Sequence, residues 1–111
     1  MNNGRMSSLQ EAIGAVRDGS SLYWAFYRAE TAKAEADVVE VRLNGTPESV
    51  ASFALPSGWV VNRVQWRDTL FLRREQSLER QPVEDMLVEV LASADANGMR
   101  LHSWLYGADV E

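Results

Sequence analysis

A chain of 111 residues with 46% apolar and 24% charged side chains has the make-up of one ordinary globular domain, long enough to bury a core without disulfides or metal staples. Its 16 acidic and 11 basic side chains leave a net charge of -5, which argues against a general binder of nucleic-acid backbones, a mode that relies on Lys and Arg neutralising phosphates. There is no cysteine, so disulfides, thiol nucleophiles and thiolate metal sites are excluded together, and the cytosol is the expected location.

Met1 to Ser8 is polar and is read as loose; it lacks the apolar core of a secretory signal, and no later stretch approaches the ~18 apolar residues of a membrane span. Ser7 or Ser8 is placed to cap a short helix over Leu9 to Arg17, with Leu9, Ala12, Ile13 and Val16 on one side and Gly19-Ser20-Ser21 ending it. Leu22 to Ala29 is dense in aromatics and predicts a strand, followed by an exposed connection over Glu30 to Ala36. Asp37 to Asn44 alternates cleanly, turning Val39, Val41 and Leu43 one way and Val38, Glu40 and Arg42 the other, as a strand does. Thr46 and Pro47 then open a brief helix carrying Val50, Phe53 and Ala54, which Pro56-Ser57-Gly58 stops. Trp59 to Gln65 and Thr69 to Arg74 predict a hairpin around Trp66-Arg67-Asp68, and Leu78 to Gln81 is a polar lead-in to the next element.

The clearest signal follows. Val83, Met86, Leu87, Val90, Leu91 and Ala94 recur at the 3.6-residue period of a helix with one apolar stripe. Pro82 suits its first turn, Glu84 and Asp85 put negative charge near its positive end, and Asn97-Gly98 offers a left-handed stop. Beyond it, Met99, Leu101, Ser103 and Leu105 alternate with Arg100, His102, Trp104 and Tyr106, predicting a strand with two unlike faces. From residue 37 to 107 the order is strand, helix, strand, strand, helix, strand. The expected fold is therefore an α+β, ferredoxin-like βαββαβ sandwich in one domain spanning 1–111, with an extra N-terminal helix and strand at an edge or over the open sheet face.

Catalytic signals are sparse. With no cysteine, one histidine and no glycine-rich phosphate loop, neither an enzyme nor a cofactor or metal site is expected. Asp18, Glu30, Glu35, Asp37, Glu40, Glu84, Asp85 and Glu89 read as solvated or helix-end carboxylates rather than a hydrolytic pair. If the helices cover the Val39, Val41, Leu43, Leu101 and Leu105 side of the sheet, the opposite face carries Arg42, Arg100, His102, Trp104 and Tyr106. That mixture of rings and cations is what protein interfaces use as anchors, so these five residues form the candidate protein-binding face, for a partner protein or a second copy of the chain. Two alternatives start from the same place: a small-ligand domain or small enzyme with a pocket near His102, and an RNA-recognition module stacking bases on sheet aromatics. The second lacks the third-strand aromatic signature of such modules, since Arg67 to Arg74 reads Arg-Asp-Thr-Leu-Phe-Leu-Arg-Arg, and direct nucleic-acid binding is not expected.

Gly58-Trp59-Val60-Val61, the proline-led helix Pro82-Val83-Glu84-Asp85-Met86-Leu87 running to Ala94, and His102-Ser103-Trp104 with Tyr106 resemble the ribonuclease E inhibitor RraB family over about residues 37 to 107. The resemblance implies a small cytosolic α+β protein without an active site, which docks on a ribonuclease or its scaffold and changes RNA turnover. It also implies a structural part for Trp104.

Overall fold

The computed structural model describes residues 4–27, 36–65, 68–107 and 110. Glu30 to Glu35 of the expected connection, and Trp66 and Arg67 of the expected hairpin turn, lie outside the described residues, as do Met1 to Asn3. The elements are α1 (Gly4–Asp18), a 3₁₀ helix (Leu22–Phe26), β1 (Ala36–Asn44), α2 (Pro47–Ala51), β2 (Val60–Gln65), β3 (Thr69–Ser77), α3 (Arg80–Ala96) and β4 (Arg100–Tyr106). All four strands form one antiparallel sheet in the order β2-β3-β1-β4. The result is an α+β fold in which β1 to β2 and β3 to β4 are each connected across an intervening strand.

Local chemistry explains most boundaries. Around α2, Thr46 Oγ1 accepts from the Ser49 N–H at 3.1 Å while Ser49 Oγ accepts from the Thr46 N–H at 2.8 Å, a reciprocal cap ahead of Pro47. Only five residues follow, ending before the expected stripe is complete: Val50 is half-buried, whereas Phe53 and Ala54 lie beyond the helix. The α3 helix starts at Arg80, earlier than expected, so Pro82 still falls where a missing N–H leaves no bond unmade. Glu84 and Asp85 consequently sit in its second turn, where they receive hydrogen bonds from the Gln81 amide rather than facing the helix terminus. The six residues of its predicted stripe are all buried. At the far end Gly98 takes φ 72, the left-handed conformation that lets the chain turn into β4.

Two N-terminal expectations are corrected. The α1 helix begins at Gly4, so Ser7 and Ser8 lie inside it rather than capping it, and it packs against α3 in the helix layer instead of lying at an edge or over the open face. With the helix between β1 and β2 reduced to little more than a turn, α1 supplies much of the cover that a longer crossover helix would. The aromatic segment is not a strand over Leu22 to Phe26. Ser21 caps it by accepting from the Tyr23 N–H, and the turn that follows turns Tyr23, Trp24 and Tyr27 inward while Leu22 stays 86% exposed. Arg28 and Ala29 lie outside the described residues.

The core lies between the helices and one face of the sheet. Val39, Val41 and Leu43 of β1, Leu70 and Leu72 of β3, and Leu101, Trp104 and Tyr106 of β4 join the α3 stripe and Val16 in one buried cluster. Val16 of α1 and the α3 stripe lie within that cluster, while Val50 of α2, Tyr23 and Trp24 of the 3₁₀ helix, and Tyr27 just beyond it pack against it half-buried.

Candidate functional site: the uncovered face of the sheet

Cross-strand register shows which side chains share a face, because residues directly opposite one another point the same way. Val41 stands opposite Leu72 and Trp104, and Val39 opposite Tyr106, which places both rings on the helix side. Trp104 is 0% exposed and Tyr106 4%. The expected assignment of Trp104 and Tyr106 to a recognition face is therefore overturned. The physical cause is an irregularity in the β1–β4 ladder: Arg42 pairs with Ser103 but Leu43 pairs with Leu101, so His102 is an extra residue in a β-bulge. One inserted residue exchanges the faces of everything beyond it. Leu101 faces the core as expected, whereas Ser103 and Leu105 change places with Trp104 and Tyr106.

The rings serve as a seat for the 3₁₀ segment. Trp104 Nε1 donates to the Tyr23 carbonyl at 2.9 Å, and the Tyr23 hydroxyl donates to the Leu101 carbonyl. Tyr27 stacks on Trp104 with centroids 6.3 Å apart and donates its hydroxyl to the Leu78 carbonyl at 2.8 Å. Burial pushes the Tyr23 phenol above its usual pKa, with Arg100 acting against the shift. Tyr27 is raised in the same direction, by burial first and the neighbouring Tyr106 next, with Arg80 opposing. Trp59 is also structural: its Nε1 donates to Glu89 at 3.0 Å and Arg74 lies over its ring at 4.3 Å.

The other face, uncovered by any helix among the described residues, carries a different set. One row runs Val60, Arg73, Glu40, Leu105 across the four strands, and the next holds Phe71, Arg42 and Ser103, followed by Thr69, Asn44 and Arg100. At its centre Glu40, 1% exposed, accepts from Arg73 Nε at 2.8 Å and from Arg42 Nε at 3.2 Å. The Arg42 guanidinium lies over the Phe71 ring at 4.7 Å, and Phe71 is buried yet separate from the helix-side cluster. Val60 is 61% exposed at one flank, and Leu105 is half-buried at the other. Of the five predicted face residues, the structure therefore brings together Arg42, Arg100 and His102 and removes the two rings. Glu40, Phe71, Arg73, Val60 and Leu105 are the additions.

No protein-family model matches this chain, and no curated protein matches it either. The arrangement itself limits the chemistry. His102 is exposed on the bulge with Nδ1 3.0 Å from Ser103 Oγ, and no carboxylate is among its hydrogen-bond partners within the described residues. The carboxylates singled out from the sequence are dispersed: Glu40 lies between two arginines, Glu89 meets Arg74, Glu84 meets Arg17, and Asp18 accepts from Ser20. Asp18 is held below its usual pKa by the Ser20 hydroxyl first and the Ser20 N–H next. Asp37 accepts from the Val38 N–H, and Asp85 from Gln81; Glu30 and Glu35 lie outside the described residues. Among the described residues no group of three or more His, Cys, Asp or Glu is placed to hold a metal ion, and no helix is long and apolar enough to cross a membrane.

Proposed function

We propose that this chain is a ferredoxin-like βαββαβ sandwich acting as a non-enzymatic, protein-binding regulator in the cytoplasm, with the uncovered sheet face as its docking surface. The order β2-β3-β1-β4 with two crossing connections supports the topology. One observation carries the docking reading: the core clusters on one side of the sheet, while the other side offers apolar flanks at Val60 and Leu105 around a centre of arginines. Glu40 is sunk beneath Arg42 and Arg73, so cations are what the middle of this face presents, with Glu75 exposed beyond Arg73 opposite Val38. The fitting occupant is an acidic protein segment with apolar side chains at its ends, attracted by charge and anchored by burial. The resemblance to the ribonuclease E inhibitor RraB family makes a ribonuclease or its scaffold the partner to test.

The test is a reconstituted cleavage assay with purified ribonuclease E. Added in stoichiometric amounts, the chain slows cleavage of a short RNA, and the double variant Val60→Glu, Leu105→Glu loses that effect while keeping its far-UV circular dichroism and melting temperature. Unchanged cleavage with no co-elution of the two proteins overturns this reading. A dimer in sedimentation that the same double variant dissociates makes a second copy the occupant instead, and slowing that persists without contact to the enzyme but falls steeply with salt assigns the effect to RNA.

A further inference from the structure

We infer that the depression at the bulged end of the uncovered face is a binding site for a small phosphate monoester. It has a volume of about 670 Å³, in the range of small-molecule sites, and Arg42, Arg100 and His102 all line it. Arg42 commits Nε to Glu40 and its plane to the Phe71 ring, which fixes its orientation and leaves its two terminal amino groups without a partner among the described residues. Arg100 stands opposite Asn44 on the same face, is exposed, and makes no ion pair among the described residues. The bulge adds the third group: when Ser103 donates to His102 Nδ1, the hydrogen of the ring is on Nε2. Three donor-bearing groups from two strands thus border one hollow in a chain of net charge -5.

Guanidinium groups match the paired oxygens of a phosphate, and donors from separate strands suit a tetrahedral oxyanion better than a flat carboxylate. Asp68, on the rim with its carboxylate accepting from Thr69 Oγ1 at 3.1 Å, sets a second requirement. A carboxylate beside an anion site repels a bare anion and accepts from a hydroxyl, so the ligand carries hydroxyl donors as well as its phosphate. The volume, well beyond a single phosphate, leaves room for them.

The probes are inorganic phosphate, ribose 5-phosphate and ribose, titrated at constant ionic strength into the full chain while backbone amide resonances are recorded. Ribose 5-phosphate gives saturable shifts centred on Asn44, Gly45 and the Arg100 to Ser103 stretch, phosphate gives the same pattern with weaker affinity, and ribose gives none. Arg100→Ala weakens ribose 5-phosphate about tenfold, the worth of one charge-assisted hydrogen bond, and Asp68→Asn tightens inorganic phosphate. Absence of saturable shifts, or shifts elsewhere that Arg100→Ala leaves unchanged, overturns the assignment. The site is independent of docking: Val60 and Leu105 lie outside the depression, so the double variant that abolishes docking leaves these titrations intact.

Discussion

Replacing Trp104 with alanine separates a core role from a recognition role more sharply than any other single change. The side chain is fully buried, it stacks on Tyr27 and lies tilted against Tyr106, and its Nε1 holds the Tyr23 carbonyl at 2.9 Å. Truncating a buried tryptophan costs about 3–5 kcal/mol through lost transfer energy and the cavity left behind. Orphaning the Tyr23 carbonyl adds about 1 kcal/mol. A loss of ~4–6 kcal/mol is a large part of the ~5–15 kcal/mol that holds a domain together, and at about 4 °C per kcal/mol for a chain of this length the midpoint falls by ~15–25 °C. Trp104→Phe keeps most of the packing and forfeits the hydrogen bond, so its expected cost is about 1–2 kcal/mol. Urea titration followed by circular dichroism measures both. A Trp104→Ala chain within about 1 kcal/mol of the parent would refute the burial argument and with it the bulge that turns this ring inward.

Glu40→Ala leaves Arg42 and Arg73 facing each other without their shared carboxylate; about 2 kcal/mol of stability is lost in denaturant titration, less than for a fully buried pair because both guanidiniums keep contact with water. Gly45→Ala builds a methyl group into Ser49 Oγ and to 2.9 Å from Met99 Cγ, so the expected result is a lower melting temperature in a thermal scan. Deleting His102 removes the unpaired residue of the bulge and lets Leu101, Ser103 and Trp104 alternate regularly on their present faces; the cost is about 1 kcal/mol or less by thermal melting, whereas a deletion in the unbulged middle of β1 prevents folding. Because burial raises the Tyr23 pKa above its usual 10.0, the unfolded chain ionises first as pH climbs; stability is whole below about pH 10 and falls as pH rises through the folded-state value. Tyr23→Phe, about 1 kcal/mol less stable at neutral pH for want of its bond to Leu101, therefore loses less on going to pH 11 than the parent.

The α3 stripe and the β1 alternation were legible because each comes from a period that nothing interrupts: all six stripe residues are buried, and Val39, Val41 and Leu43 face the core. β4 departs from strict alternation at His102, where the ladder shifts, and periodicity alone does not reveal such a break. Area offers the missing signal. Two rings each bury about 150–250 Å², far more than Ser103 and Leu105, so a strand that exposed Trp104 and Tyr106 to cover those smaller groups would forfeit several kcal/mol of hydrophobic stabilisation. The segment Leu22 to Phe26 carried a second signal. Tyr23, Trp24 and Tyr27 recur at i, i+1 and i+4, a helical rather than an alternating spacing, and Ser21 ahead of them is a favoured cap. Aromatic β-propensity concealed both features. The place of α1 was not legible, since its apolar side says that it packs but not on which element, and the contact with α3 joins residues far apart in the chain.

With the rings assigned to the core, the proposed recognition rests on how the uncovered face manages charge. A carboxylate as buried as Glu40 rarely adds stability over an apolar residue of its size, because desolvation offsets much of its attraction to the arginines. Its effect on the surface is more specific. By holding Arg42 and Arg73 through their Nε atoms it fixes two flexible side chains against the sheet, covers Phe71 with a guanidinium, and removes its own negative charge from the outer layer. The remaining outward charge at the bulged end of the sheet comes from Arg100 and the Arg42 terminal groups, opposed by Asp68. An acidic chain with one fixed cationic surface orients an incoming anion before contact, and the ordered arginines lose less side-chain entropy when they bind it than free ones would. Both the proposed protein docking and the proposed phosphate site draw on that preorganisation, which makes Glu40 the residue whose loss should weaken the two together.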